Sequence, residues 1–328
     1  MPTHALAEPA PSSAALPSLA EAAPWVARFG PPFAFGSFFA PEDTVLCALA
    51  THDARHHVPG ARRVVELTAG SALVLASQLL ADPALRGAGA EVDPEAVQRA
   101  RHNLRALGLT RRARVRRVGL FSPRLAEWLR RERPDVLACN PPYIPEPPDA
   151  PLALVAGAGP LGDRHPRRTM RVAAEAGVGR VVLSWCSLGN PVGVLRTAVR
   201  AGYRVERLWA AALADGEYSG TVHDYMRTLP TAYLAEDAPT LARLAPDGSA
   251  RFAYLLLAAS FVRDDRPDAA VRGRRAVRRL GRLMRAFRAE GVRALEHAHA
   301  RRQPGLRAYL CTRADELRLR VLAHGPPA

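Results

Sequence analysis

The sequence predicts an α/β fold, a doubly wound seven-stranded sheet covered by helices on both faces. Between Ala61 and Phe261, short β-branched runs alternate with stretches of helical period, as a parallel sheet with crossover helices requires. The candidate strands are Arg63 to Leu67, Ala88 to Val92, Arg114 to Val118, Asp135 to Cys139, Arg180 to Ser184, Tyr203 to Trp209 and Phe252 to Phe261. Length agrees: 328 residues hold one such domain with additions at its ends. With 48% hydrophobic and 23% charged residues, the chain can bury an ordinary core.

Taken in order, residues 1–24 are rich in Ala, Pro and Ser without a period, the composition of a disordered arm. Residues 25–60 form an N-terminal cap segment, whose aromatic cluster from Trp25 to Phe39 is broken by Gly30, Pro31, Pro32 and Gly36. It is too apolar to stay free and is expected to pack on the domain at 61–262. Within that domain the helix from Pro94 to Leu107 is the best marked. Asp93 caps it, Pro94 suits its first position, Val97, Ala100, Leu104 and Leu107 share one face, and Gly108 stops it. A second helix is expected to start at Ser122 and Pro123. Residues 210–251 separate the last two strands as an insertion; a parallel sixth strand would start it on the ligand side of the sheet.

Residues 263–328 read as an Arg-rich helical extension. From Arg263 to Arg320 there are 17 arginines against seven acids. Val277, Leu280, Met284 and Phe287 recur at helical spacing, so a basic amphipathic helix is expected to dock on the body. Its arginine face is either simply solvated or meets nucleic acid.

All 46 basic residues are arginine, and the net charge is +15. A basic surface attracts nucleic acid or anionic substrates, yet arginine in place of lysine also follows from a GC-rich genome. Cys47, Cys139, Cys186 and Cys311 are far apart and form no CxxC pair, so neither a zinc knuckle nor a disulfide framework is indicated, which fits a cytoplasmic protein. No basic region followed by an apolar stretch opens the chain. The most apolar run, Phe252 to Phe261, is about half the roughly 20 residues a membrane span needs, so no membrane partner is expected. His52, Asp53, His56 and His57 have a chelating spacing without a remote ligand, so no metal is expected. Ser184, Cys186 and Ser187 lack a paired histidine motif, which argues against nucleophilic catalysis.

The chemistry gathers at strand ends. Glu66, Leu67, Thr68, Ala69, Gly70, Ser71 and Ala72 mark a small-residue turn between the first strand and the first helix, where free N–H groups can meet an anionic ligand group. About 20 residues later Glu91, followed by Val92, ends the second strand, the position from which a carboxylate accepts from ribose hydroxyls. Together these indicate a nucleoside-bearing cofactor. The fourth strand then runs into Asn140, Pro141, Pro142 and Tyr143.

This combination resembles the class I S-adenosylmethionine-dependent methyltransferases that carry Asn-Pro-Pro-Tyr and methylate nitrogen. Within them the HemK-like glutamine methyltransferases of release factors match best. Ile144 and Pro145 continue the motif, Gly119-Leu120-Phe121 resembles the segment after strand three, and Leu152-Ala153 with Gly157 to Leu161 the following loop. Pro41-Glu42-Asp43-Thr44 stands where that subset has a proline-glutamate-threonine segment beside the cofactor. Thr68 and Ala72 depart from it, standing where glycine is usual, and Gly119 stands where an acid would meet the adenine. The N-terminal helical bundle that holds the release factor has no counterpart.

The resemblance implies a Rossmann-like methyltransferase sheet and S-adenosylmethionine as cofactor, with Glu66, Thr68, Gly70, Ser71, Glu91, Val92 and Asn140 around it. An amide or ring-conjugated nitrogen is a poor nucleophile, so a site must hold its protons and aim its lone pair. The Asn140 side-chain oxygen and the Pro141 carbonyl serve for that, and Tyr143 offers a flat face to the acceptor or the sulfonium. Phe39, Tyr143, Ser184, Tyr218, His223 and Tyr225 are the candidate acceptor contacts. The expected acceptor is a small molecule or a protein glutamine, with nucleic acid third. Two alternatives stand beside methyl transfer: use of the cofactor's aminobutyrate arm, and a non-enzymatic RNA-binding protein of the same fold using Arg272 to Arg288.

Overall fold

The computed structural model describes residues 15–29 and 40–324. In chain order, α1 (Pro41–His56) leads into β1 (Arg63–Leu67), α2 (Leu73–Ala81), β2 (Arg86–Glu91), α3 (Pro94–Ala106), β3 (Ala113–Arg117), α4 (Leu125–Glu132) and β4 (Val136–Cys139). Next come α5 (Arg164–Glu175), β5 (Arg180–Cys186), α6 (Pro191–Arg200) and β6 (Tyr203–Ala214). Three short helices, α7 (Glu217–Thr221), α8 (His223–Thr228) and α9 (Ala238–Leu244), precede β7 (Ala253–Arg263). The chain closes with α10 (Ala269–Glu290), α11 (Val292–Ala300), β8 (Leu306–Cys311) and α12 (Arg313–His324).

The strands form one sheet in the order β3-β2-β1-β4-β5-β7-β6-β8. β1 to β5 are parallel, β7 runs antiparallel between β5 and β6, and β8 is parallel to β6. β4 and β5 are buried on every residue, as strands covered on both faces must be. Order reverses between β1 and β4, the switch point beyond whose carboxyl ends ligands bind in such sheets. α3 has the cap expected of it, with Asp93 accepting from the N–H groups of Glu95 (3.0 Å) and Ala96 (3.3 Å).

Four expectations need correction. The sheet has eight strands rather than seven, because Leu306–Cys311 in the supposedly all-helical extension pairs with β6. β6 runs on through an alanine-rich stretch to Ala214, held by pairing with β7, so the insertion covers only 215–252. Ser122 and Pro123 lie in two successive turns, closed by the Ser122 N–H on the Gly119 oxygen and the Leu125 N–H on the Ser122 oxygen, and the helix starts at Leu125. By contrast, the cap segment needs no correction: its α1 packs on α2, β5 and β7. Finally, residues 15–24 are folded. Leu16, Leu19, Ala20 and Ala23 are buried, Leu19 N–H donates to Leu310 O, and Ser18 Oγ donates to Asp315 at 2.6 Å. Gly30, Pro31, Pro32, Gly36 and Phe39 lie outside the described residues.

Among the described residues no helix is long and apolar enough to cross a membrane. All four cysteines are buried and free.

Candidate active site

At the carboxyl ends of β1, β2 and β4 lies a cavity of about 560 Å³, in the size range of small-molecule sites. The turn after β1 forms one wall. Thr68, Gly70 and Ala72 all adopt left-handed backbone, with φ of 51°, 49° and 62°. Glycine does this freely; for the other two it costs about 1–2 kcal/mol each. The surroundings hold the turn in place. Thr68 Oγ1 reaches the Leu67 oxygen (2.6 Å) and the Asn140 backbone oxygen (3.1 Å), and Asn103 Nδ2 donates to Ser71 O at 2.9 Å.

Two carboxylates fix the turn from behind. Glu66 accepts from the Leu75 N–H at the start of α2 (2.9 Å), where the helix dipole favours negative charge. Its burial is nearly complete, and this pushes its pKa up to about 8. Glu91 accepts from Gly70 N–H (2.9 Å), Val92 N–H (2.6 Å) and Asp93 N–H (3.1 Å). A carboxylate offers about four acceptor positions, so capacity for one further donor remains.

The Asn140-Pro141-Pro142-Tyr143 segment forms the opposite wall. The Asn140 side-chain oxygen is buried and has no hydrogen-bond partner among the described residues. Tyr143 is only 8% exposed, and its hydroxyl donates to Asp43 Oδ2 at 2.8 Å. Its ring borders the cavity, but its polar end is committed to Asp43 and is not open to an acceptor as the motif alone suggested. Asp43 sits in the first turn of α1 and also accepts from Thr44 Oγ1 at 3.1 Å. Burial raises its pKa; hydrogen bonds from Tyr143, Thr44 and Asn140 offset part of the rise. Asp43 thus ties Tyr143 and Thr44 together at the cavity wall that Asn140 also lines.

The chain after the motif is folded back on itself. Glu146 accepts from the N–H groups of Leu152 and Gly159, both at 2.8 Å, and Ile144 bridges to Gly157. Gly162 has a φ of 63°, and a Cβ there would stand 2.5 Å from the Tyr143 oxygen, so only glycine fits. This loop carries Leu154 and Val155 to the cavity, which Val92 and Phe121 also line. Among the described residues only six large apolar side chains are exposed, and these four all line the cavity. Such a concentration marks a binding rim rather than chance exposure. Phe121 also meets the His165 ring edge-on (5.1 Å) and lies under the Arg164 guanidinium (4.8 Å). Burial and Arg164 push the His165 pKa down.

The structure brings together Glu66, Thr68, Gly70, Ser71, Glu91, Val92, Asn140, Pro141 and Tyr143 around the cavity. The expected acceptor contacts fare differently. Ser184 is fully buried in β5 and does not line it. Tyr218, His223 and Tyr225 do not either, because the insertion folds back so that Ala235 pairs with Ala253. His223 is held by Glu236 (2.8 Å) and stacked on Phe252, and the Tyr225 hydroxyl donates to Pro160 O (3.0 Å). The role of Asp43 and the presence of His165 were not foreseen. For Asp43 the acidic Pro41-to-Thr44 segment was the available signal; for His165 there was none.

No family model matches the chain. A stretch of 83 residues is 39% identical to the release factor glutamine methyltransferase of Rhodospirillum rubrum, covering 25% of this chain. The chain spans about a quarter of that relative's length (24%). Among solved structures it is similar to the Pyrococcus horikoshii protein PH1948, at 13% identity over 76% of this chain and 98% of that one, with a TM-score of 0.46. It is also similar to an RNA methyltransferase of Salinibacter ruber in complex with S-adenosylhomocysteine, at 18% identity over 45% of this chain and 77% of that one, TM-score 0.29. These last two are likenesses of fold.

Proposed function

We propose that the cavity binds S-adenosylmethionine and that the chain transfers the methyl group to a planar nitrogen. One observation carries this reading: the buried Asn140 side-chain oxygen that no donor satisfies. Leaving such an acceptor unpaired costs about 1–3 kcal/mol, and the N–H of an amide or ring amine supplies the missing donor. Pro141, which has no N–H of its own, contributes a rigid carbonyl beside it.

The residues present suit the cofactor. Glu91, Asp93 and Glu95 line the cavity against Arg99, while burial keeps a proton on Glu66, and this negative balance favours a sulfonium cation. Glu91 and the turn at Gly70 and Ser71 would hold its polar groups, while Val92, Leu120 and Phe121 offer apolar contact to its base. When bound, it supplies an electrophilic methyl group. Asn140 and Pro141 then orient the acceptor by holding its protons, which directs the lone pair, and Asp43 positions Tyr143 beside them. Orientation of this kind lowers a barrier by several kcal/mol without a covalent intermediate.

The acceptor we propose is a small planar molecule with apolar edges, matched to the rim of Leu154 and Val155, or a glutamine side chain, as the partial likeness to a glutamine methyltransferase supports. The four free, buried cysteines are consistent with a reducing cytoplasm.

Incubation with methyl-labelled cofactor and separate pools of metabolites, release factor and RNA tests the reading. Label on a nitrogen, with S-adenosylhomocysteine as by-product, is the expected result; methylthioadenosine would point instead to aminobutyrate transfer. Asn140→Ala should lower turnover by roughly 10²–10³-fold, the range for removing one positioned polar group, with little change in S-adenosylhomocysteine affinity. Full activity in that variant would overturn the proposal.

A further inference from the structure

The arginines of α10 have a setting of their own, apart from the cavity. The helix buries Leu280, Leu283, Met284 and Phe287 against the body. Gly273 lets it approach α6 so closely that a Cβ there would stand 2.3 Å from Val199. Along the outer seam of this contact runs a groove the length of α6. Two hollows of about 400 and 630 Å³ make it up, and they share Arg196, Val277 and Arg278. Asn190, Thr231 and Tyr233 mark one end, Gly202 and Tyr203 the other.

Six exposed arginines line this groove: Arg196 and Arg200 from α6, and Arg274, Arg278, Arg282 and Arg285 from α10. None forms an ion pair with an acid among the described residues. The nearby acids are engaged elsewhere: Asp264 by Arg266 and Arg272, and Asp268 by Arg272. Arg274, Arg278 and Arg282 follow at every fourth residue, about 6 Å apart along the axis, and Arg285 extends the row to about 16 Å. A row of like charges held in one channel is repulsive by itself and is relieved by a ligand with regularly repeated negative charge.

The remaining lining distinguishes the ligand's class. A bilayer surface is disfavoured, because a helix that lies in a membrane must insert its apolar face, and that of α10 is buried in the protein. At the groove's end Thr231 Oγ1 is buried without a partner, and Tyr233 offers a ring on which a base can stack. We propose that the α6–α10 groove binds the phosphodiester backbone of a nucleic acid strand. Asn190 places its Tyr233 end on the same sheet edge as the cavity, since Asn190 Nδ2 donates to Asp163 (2.9 Å) just before α5. The proposal is independent of the methyl-transfer reading.

Fluorescence anisotropy of the full chain with labelled RNA and DNA strands of one sequence, titrated with salt, tests it. Contact with four to six phosphates gives a slope of log affinity against log salt of about −3 to −4. The quadruple variant R196Q/R278Q/R282Q/R285Q should lose affinity by at least roughly 30-fold and flatten the slope by about 3. A charge-matched control, R105Q/R111Q/R116Q/R171Q, removes exposed arginines elsewhere and should lose less than about threefold. Tyr233→Ala should weaken binding by about tenfold without altering the slope. Binding of either strand supports the proposal, and a preference between them identifies RNA or DNA as its source. Absence of binding at low salt, equal losses in the control, or binding to phosphatidylserine vesicles alone would overturn it. Unchanged thermal midpoints show that the variants fold, and retained binding in Asn140→Ala separates this surface from the cavity.

Discussion

The two halves of the sheet carry opposite charge. Beyond β1 and β4, Glu91, Asp93 and Glu95 outnumber Arg99 around the cavity; beyond β5, the α6–α10 flank presents six arginines unpaired with any acid among the described residues. A net charge of +15 therefore says little about what the cavity binds. Most of it comes from residues 263–320, with 17 arginines against seven acids, and each half must be assigned its own ligand chemistry.

The sharpest way to break this separation is at Asp43. Asp43→Asn removes a charged hydrogen-bond partner worth about 1.5–3 kcal/mol and should lower turnover by roughly 10- to 100-fold. Nucleic-acid affinity should be unaffected, and a variant that lost both would merge the two halves into one site.

A second test uses pH. Burial raises Glu42 and Glu66 to about 8, so the folded protein keeps protons that the unfolded chain releases above about 4.5. Stability should therefore fall as pH rises from about 4.5 to about 8, by at most ~1.4 kcal/mol per pH unit for each group. Glu66→Gln keeps an acceptor for the Leu75 N–H and removes one titration, so thermal midpoints measured across that window should flatten by about half. The arginine flank has no such dependence, because guanidinium does not titrate there. An unchanged slope in Glu66→Gln would show that the cavity acids are hydrated and not buried.

The smallest effect is expected at the turn. Ala72→Gly relieves a left-handed residue but loses a buried methyl, which leaves a gain of at most about 1 kcal/mol. A rise of about 1–2 °C in the thermal midpoint would confirm it. A fall would mean that packing of the methyl outweighs the backbone cost.

What could be read from the sequence was local. Strand and helix periods, the Asp93 cap and the placement of Asn140 at a central strand end follow from nearby residues, and the structure agrees. What could not be read depends on distant partners. Tyr143 meets Asp43 across 100 positions, and neither residue names the other. β8 hides an alternation of Leu306, Ala308 and Leu310 inside an arginine-rich run, and only the edge of β6 makes it a strand. Tyr218, His223 and Tyr225 have residue types suited to a pocket, but the path of the insertion decides where they go. Thr68 and Ala72 show the reverse case: the turn takes a glycine-like shape although its residues disfavour it.

The bond between Ser18 and Asp315 spans 297 positions. While the protein is being synthesised, residues 15–24 must wait for β8 to leave the ribosome before they can dock. Until then the outer edge of β6 is bare, and a bare edge recruits other chains. Premature termination before Leu306 should therefore yield aggregates, even though the cavity residues would all have been made.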